Sequence, residues 1–291
     1  MLTKVARLLR YGFDIVQGFF IRLFTKGPNS ARIFLWVRAL NLTISQLNKT
    51  GRSKRVECPC CSWKGYDFLA DDTVKFWLPQ VFCPSCGSHE RSRMLHLYLG
   101  RHDARLGETE GTLLHFAAED DLRKLIRAND RLNYFSTDID PIAIKYRCAP
   151  GTGFMSDIQT LGVKTNSVDI IFCLHVLEHV RHDCDAIREL SRALKPGGIA
   201  YIMVPFDMTL KETEEWEIPD PDIHYHIWAY ATPDFKYRLD CFDYQEIKPD
   251  TFLTEEERTR FRIPPKEIIY RCVKQVGAEE KSESTLEMSK A

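Results

Sequence analysis

The 291-residue sequence has no long apolar run. Within its first 26 residues the longest stretch without a charge is Ile15 to Ile21, far short of the roughly 20 residues that span a bilayer. No compact apolar core with a cleavage site follows it, so a secretory signal is not expected either. Net charge is also nearly absent, with 40 Lys and Arg against 41 Asp and Glu. With 44% hydrophobic residues, that balance describes a soluble globular chain able to fill a core. Glycine is missing between Thr112 and Pro150, which excludes a glycine-rich turn there. Residues 277–291, rich in Glu, Ser and Lys, have scarcely an apolar residue and are expected to be disordered. These absences place the protein in the cytoplasm. Its ten cysteines would be reduced there, which argues against a disulfide framework.

What the chain does have is unevenly spread. Residues 1–57 hold eleven Lys or Arg against Asp14 and Glu57, a net +9, so the remainder carries −10. Leu2, Val5, Leu9, Phe13, Val16, Phe20 and Leu23 recur every three or four residues, as on one face of a helix. Gly27-Pro28-Asn29-Ser30 interrupts the pattern, and Ile33, Val37, Leu40, Ile44 and Leu47 resume it. Residues 1–50 therefore read as an arm of two amphipathic helices. Two placements stay open: packing on the body or on a second subunit, and peripheral contact of residues 1–24 with the inner face of an anionic membrane.

Residues 56–90 contain Cys58-Pro-Cys-Cys61 and Cys83-Pro-Ser-Cys86-Gly. Each CxxC turn presents two sulfurs to one ion, and Cys58, Cys61, Cys83 and Cys86 at this spacing read as a tetrahedral zinc site. A rubredoxin-like iron site is the minor alternative, and Cys60 is a spare thiol. Four thiolates leave no open coordination position, so the role is structural. Trp63, Tyr66, Phe68, Phe76, Trp77 and Phe82 read as the core of this small module. Removing the metal is expected to unfold it and spare the rest. The His89-to-Arg93 segment leads into a helix that ties the ribbon to the next domain. For Arg91 and Arg93, salt bridges at that seam are favoured over contact with an anionic substrate.

Ser167 to Pro205 is the most informative stretch. The apolar strand Val168–Phe172 precedes a loop carrying Cys173, His175, Glu178 and His179. A helix with Ile187, Leu190 and Leu194 on one face follows, with Asp183 placed to cap it and Pro196-Gly197-Gly198 to stop it. The strand Ile199–Val204 completes a βαβ unit, hence a parallel sheet with its active groups past the strand carboxyl ends. The strand–LHVLEHV–helix–LKPGG–strand sequence resembles the class I S-adenosylmethionine (SAM) dependent methyltransferases, in their small-molecule, type 11-like branch.

The resemblance implies an α/β, Rossmann-like seven-stranded sheet over residues 91–276, preceded by the zinc ribbon and the helical arm. Gly111–Phe116, Asn133–Thr137 and Phe154–Ser156 supply the other parallel strands. Phe242–Lys248 and Ile268–Lys274 supply a closing pair, one of them antiparallel. It also implies cofactor contacts. Asp138, with Ile139, ends the second strand, where an acid accepts the ribose hydroxyls. Asp157, with Ile158, matches the position that bonds the adenine amino group. Asp169 reads as a strand-entry residue. The first loop, His115-Phe-Ala117-Ala-Glu119, lacks the family's glycines and resembles the subset with an HFAPE-like loop. In that subset His115, Ala117 and Glu119, together with Cys173 and His175 across from them, border the methionine end of SAM. Ala118 replaces the subset's proline, and Ala117 does not freely take positive φ.

Pro205 to Tyr230 shows little strand or helix pattern, and the resemblance implies a loop covering the site. His224 and His226 lie two apart, which in an extended chain points both to one side. With a hydroxyl acceptor a histidine would take its proton; His226 is the first candidate, then His175, then His224. The cysteines lie in a separate module, so no metal is expected in the reaction. The favoured function is O-methylation of a small-molecule, sugar or lipid-linked acceptor. The alternatives are a zinc-ribbon RNA methyltransferase and a catalytically inactive, methyltransferase-like binding module. Nucleic acid is disfavoured because the C-terminal body is acidic and no basic groove with interleaved aromatics is evident.

Overall fold

The computed structural model describes residues 2–72, 77–103, 110–126, 129–147, 151–220 and 224–275; side chains of residues 2–13, 72, 146, 147 and 220 are not described. Phe76, residues 277–291 and the side chains of Leu2, Val5, Leu9 and Phe13 therefore lie outside the description.

The arm is two helices, α1 (Leu2–Lys26) and α2 (Pro28–Thr50), joined at Gly27 with φ 88°. They pack closely at Gly18, where an added Cβ would lie 2.7 Å from the Phe34 ring. Helix α2 docks on the cysteine module through two asparagines. Asn41 bonds both the N–H and the C=O of Ala70 at 2.8 Å, as a neighbouring strand would. Asn48 accepts from the N–H groups of Tyr66 and Asp67 and donates to the Asp67 carbonyl. Val37 and Ile44 of the α2 stripe are buried, whereas Val16 and Phe20 of the α1 stripe are exposed. No helix among the described residues is long and apolar enough to cross a membrane.

The cysteine module consists of two short hairpins, β1 (Val56–Glu57) with β2 (Lys64–Gly65) and β3 (Leu69–Asp72) with β4 (Trp77–Phe82). Helix α3 (Glu90–His102) then enters the main domain and buries Met94, Leu95, Leu97, Tyr98 and Leu99 there. Arg93 is fully buried at the seam. Its guanidinium lies 4.0 Å over the Phe68 ring and donates to the carbonyls of Gln80, Val81 and Ser88 on the ribbon side. It also donates to Phe261 and Arg262 on the other. The seam is thus held by five carbonyl acceptors rather than by a carboxylate.

The main domain is a sheet of seven strands. The remaining elements are β5 (Gly111–Phe116), α4 (Asp120–Ile126), β6 (Leu132–Asp138), α5 (Pro141–Arg147) and β7 (Gly153–Met155). They continue with β8 (Val168–Leu174), α6 (Asp183–Ala193), β9 (Leu194–Met203), β10 (Glu214–Asp220) and β11 (His226–Ala229). The chain closes with β12 (Phe242–Ile247), α7 (Glu255–Phe261) and β13 (Ile269–Lys274). The spatial order is β12-β13-β9-β8-β5-β6-β7, parallel except for β13, which runs antiparallel to both neighbours. This is the expected Rossmann-like arrangement. Along β8, Ile171 and Cys173 enter the core under α6, while Ile170, Phe172 and Leu174 enter the core under α3. Both faces of that strand are covered, as a central parallel strand requires.

Three local expectations are revised. Helix α6 stops at Ala193, before Pro196-Gly197-Gly198, which instead form an irregular start to β9. A Cβ on Gly198 would lie 2.8 Å from the Lys195 carbonyl, so only glycine fits that approach. Asp183 does not cap α6 through its side chain. Its Oδ2 accepts from Tyr230 and from Arg238, pinning the chain after β11 to the helix start. The supposed loop 205–230 contains the hairpin β10–β11, whose strand Glu214–Asp220 is too acidic to show an apolar alternation. Asp169 is the strand-entry residue expected: it accepts from the Thr112 N–H and pairs with Lys195 at 2.8 Å.

Candidate active site

The two CxxC turns fold alike. Ser62 N–H bonds the Cys58 carbonyl and Gly87 N–H bonds the Cys83 carbonyl, with φ of 59° and 77° at the two donors. Each turn closes with a second bond, Cys58 N–H to Trp63 and Cys83 N–H to Ser88. The sulfurs of Cys58 and Cys86 are 3.7 Å apart and those of Cys61 and Cys83 3.8 Å. A tetrahedral ion with about 2.3 Å metal–sulfur bonds requires sulfurs about 3.8 Å apart, so the four residues fit one ion. Cys60 lies outside this set.

At the carboxyl ends of the parallel strands, Asp138 and Asp157 are both half-buried. They close two adjacent strands, and Ser156 N–H bonds the Asp138 carbonyl. Asp138 accepts from its own turn at Asp140, and Asp157 accepts from Gln159. Ile139 is 67% exposed beside them. Ala117 adopts φ 47°, the left-handed conformation the glycine-poor loop makes costly. Its N–H bonds the Thr137 carbonyl, which holds the loop against β6.

Several residues assigned to the cofactor point elsewhere. The His115 ring is buried between Tyr134 and Phe172, with Nδ1 3.2 Å from the Tyr134 hydroxyl, and burial drops its pKa to about 3. Cys173 and Ile158 are buried in the core under α6, and burial pushes the Cys173 thiol up. Glu119 is taken by Arg91 at 2.7 Å and by Ser92 at 2.9 Å. Against the cost of burial, the nearby guanidinium keeps that carboxyl below the usual range. His115 and Cys173 lie on doubly covered strands, whose side chains face the two helical layers, whereas Ile158 and Glu119 lie on turns and are committed to the core and to Arg91. Arg91 thus makes an ion pair within the main domain and also lines the cavity described next.

A cavity of about 780 Å³ opens over the ends of β8 and β9. His175, Glu178, His224 and His226 line it, with Glu90 and Glu267. His175 adopts φ 52°. Its Nδ1 lies 3.7 Å from Glu178 and its Nε2 3.8 Å from Glu267. Nε2 is buried without a hydrogen-bond partner, so Nδ1 is the nitrogen left for a ligand. Burial and then Arg91 lower the His175 pKa well below its ordinary value, keeping the ring neutral. Glu178 is 1% exposed, and burial pushes its carboxyl up to about 8. Burial also raises Glu267. His224 and Tyr225 take φ of 53° and 64°, so the segment is not extended, yet the His224 and His226 rings remain 6.4 Å apart.

The family model described as a methyltransferase domain matches residues 120–202, from α4 through β9. Residues 120–202 thus match a methyltransferase domain, and the sheet that holds them is of the Rossmann-like, class I methyltransferase type. Its strand order supports this independently, with the single antiparallel strand inserted beside the edge. No curated protein is similar to the chain. Solved structures similar to it include the YcgJ protein of Bacillus subtilis, at 16% identity over 64% of this chain and 100% of that one, TM-score 0.43. A SAM-dependent methyltransferase of Archaeoglobus fulgidus is 13% identical over 64% and 95%, TM-score 0.46. Another from Mesorhizobium loti is 14% identical over 59% and 94%, TM-score 0.46.

The sequence reading of the methyltransferase site missed Glu90, Glu267 and the tryptophans Trp216 and Trp228 of the hairpin. Glu267 follows Pro264-Pro265, read only as the sheet restarting. A carboxylate between a proline pair and an apolar strand is the one local signal that could have marked it.

Proposed function

We propose that the protein transfers a methyl group from SAM to a hydroxyl of a small, oxygen-rich acceptor seated in the 780 Å³ cavity. The observation that carries this reading is His175, which follows β8 directly at the carboxyl edge of the sheet and lines the cavity. SAM supplies an electrophilic methyl on a positively charged sulfur. Asp138 and Asp157, past the ends of β6 and β7, would receive its ribose and adenine, and the left-handed turn at Ala117 would let backbone approach its amino-acid end. Neutral His175 takes the acceptor proton at Nδ1 while its Nε2–H faces Glu267. Phe206, Trp216 and Trp228 line the cavity and would exclude water from an acceptor seated there. Titration calorimetry with SAM tests the first requirement. Binding in the micromolar range is expected, halved or worse by Asp138→Ala; no heat up to millimolar SAM favours an inactive binding module.

We infer that the four cysteines hold zinc, because closed all-thiolate tetrahedral sites suit that ion. Such a site binds no substrate and fixes the ribbon. We further infer that α1 rests on an anionic membrane surface. Val16, Phe20, Ile21 and Phe24 are 48–81% exposed along it, and the first 57 residues carry net +9. Flotation with phosphatidylserine-containing vesicles is expected at low salt and lost in Phe20→Glu/Phe24→Glu; equal flotation of that variant would reject the contact.

A further inference from the structure

Glu178 poses an unsolved problem in the folded chain. It is 1% exposed, and its Oε2 has no hydrogen-bond partner. Its Oε1 faces three imidazole nitrogens, His175 Nδ1 at 3.7 Å, His179 Nε2 at 3.9 Å and His226 Nε2 at 4.0 Å. All three separations exceed hydrogen-bond reach, and all leave room for an atom between. A buried carboxylate ringed by imidazoles at such distances is satisfied when a cation sits among them.

We propose that Glu178, His179 and His226 form a site for a divalent first-row metal ion, with its open positions facing the cavity. Their donor atoms all lie within 4.8 Å of one another. Donors bonded at about 2.1 Å to a six-coordinate ion sit about 3 Å apart, so the cluster contracts by about 1 Å on loading. Two features permit this. His179 is 41% exposed, on the short turn after β8, and His226 begins the separate strand β11. The rings already meet edge to face, 4.9 Å between centroids. Two imidazoles and one carboxylate suit Mn²⁺, Fe²⁺, Co²⁺ or Zn²⁺ rather than Ca²⁺.

Three protein ligands leave positions for oxygens of a bound molecule. An acceptor with two adjacent oxygens, a vicinal diol or a hydroxy acid, fits such an ion and the neighbouring His175. This last step rests on the proposed methyl transfer; the metal site does not.

The test uses the full chain with its cysteines saturated with zinc, titrated with Co²⁺. One further Co²⁺ per chain is expected, with d–d absorption and no thiolate charge-transfer band. Affinity should fall at least tenfold in His179→Ala and in His226→Ala and stay within twofold in His224→Ala. His179 is exposed, so its alanine variant keeps the fold, checked by circular dichroism. No added cobalt in the wild type, or unchanged binding in both His179→Ala and His226→Ala, overturns the proposal. SAM calorimetry on the same samples separates the two readings, since SAM binding without cobalt binding sinks the metal site alone.

Discussion

Stripping the ion from Cys58, Cys61, Cys83 and Cys86 is expected to unfold the ribbon and to lower the melting temperature of the methyltransferase domain with it. The composition of residues 56–90 suggested a module that fails alone. Arg93 argues otherwise. Its guanidinium donates to Gln80, Val81 and Ser88 in the ribbon and to Phe261 and Arg262 in the domain. Loss of the ribbon removes three of those five acceptors and leaves a buried cation short of partners, which costs on the order of 3–5 kcal/mol. Structural zinc contributes about 10–16 kcal/mol to small zinc-dependent folds, so the ribbon itself has no other means of staying folded. Differential scanning calorimetry of chelated and zinc-loaded protein reads the result directly. A chelated sample whose domain melts at the original temperature would show that the seam carries no coupling. Arg93→Met should imitate chelation in part, weakening the domain while the zinc stays bound.

Replacing His175 by asparagine is expected to cut the rate of methyl transfer by about 10²–10⁴-fold, the range ascribed to a positioned proton acceptor. Asparagine is the informative choice because position 175 sits at φ 52°, and asparagine tolerates the left-handed region better than most side chains. The backbone turn that places His175 N–H on the Met203 carbonyl is therefore retained. SAM affinity should change by no more than about threefold, since the lost group acts on the acceptor. Labelled methyl from SAM, followed into the accepting fraction of a metabolite extract, measures the rate, and calorimetry measures the affinity. An unimpaired rate would remove His175 from the reaction. A rate loss matched by an equal loss of SAM affinity would make it a cofactor-positioning residue instead.

The fold was legible wherever one residue type answers to one local constraint. Strand β8 and its return in β9 show as apolar runs because both faces of a central parallel strand are buried. The cysteine pairs show because two like turns bring four sulfurs to one point. Helix α2 shows as a stripe because a single face meets the ribbon. Where contacts join distant segments, no pattern marks them. Asn41 and Asn48 act as substitute strand partners for residues 66–70, and nothing in an amphipathic helix distinguishes them from surface amides. The acidic strand β10 is held by β11 rather than by burial of alternate residues, so it leaves no periodic trace.

The site divides along the same line. By itself the sequence determined the sheet, the two cysteine knuckles and the position of Asp138 and Asp157 past the strand ends, because each follows from order along the chain. Only the tertiary structure decided that His115 and Cys173 turn into the core, that Glu119 is spent on Arg91, and that Glu178, His179 and His226 surround one point. The physical reason is that strand position fixes which layer a side chain enters, whereas convergence of a turn after β8 with a hairpin nearly fifty residues later depends on how both pack against α6.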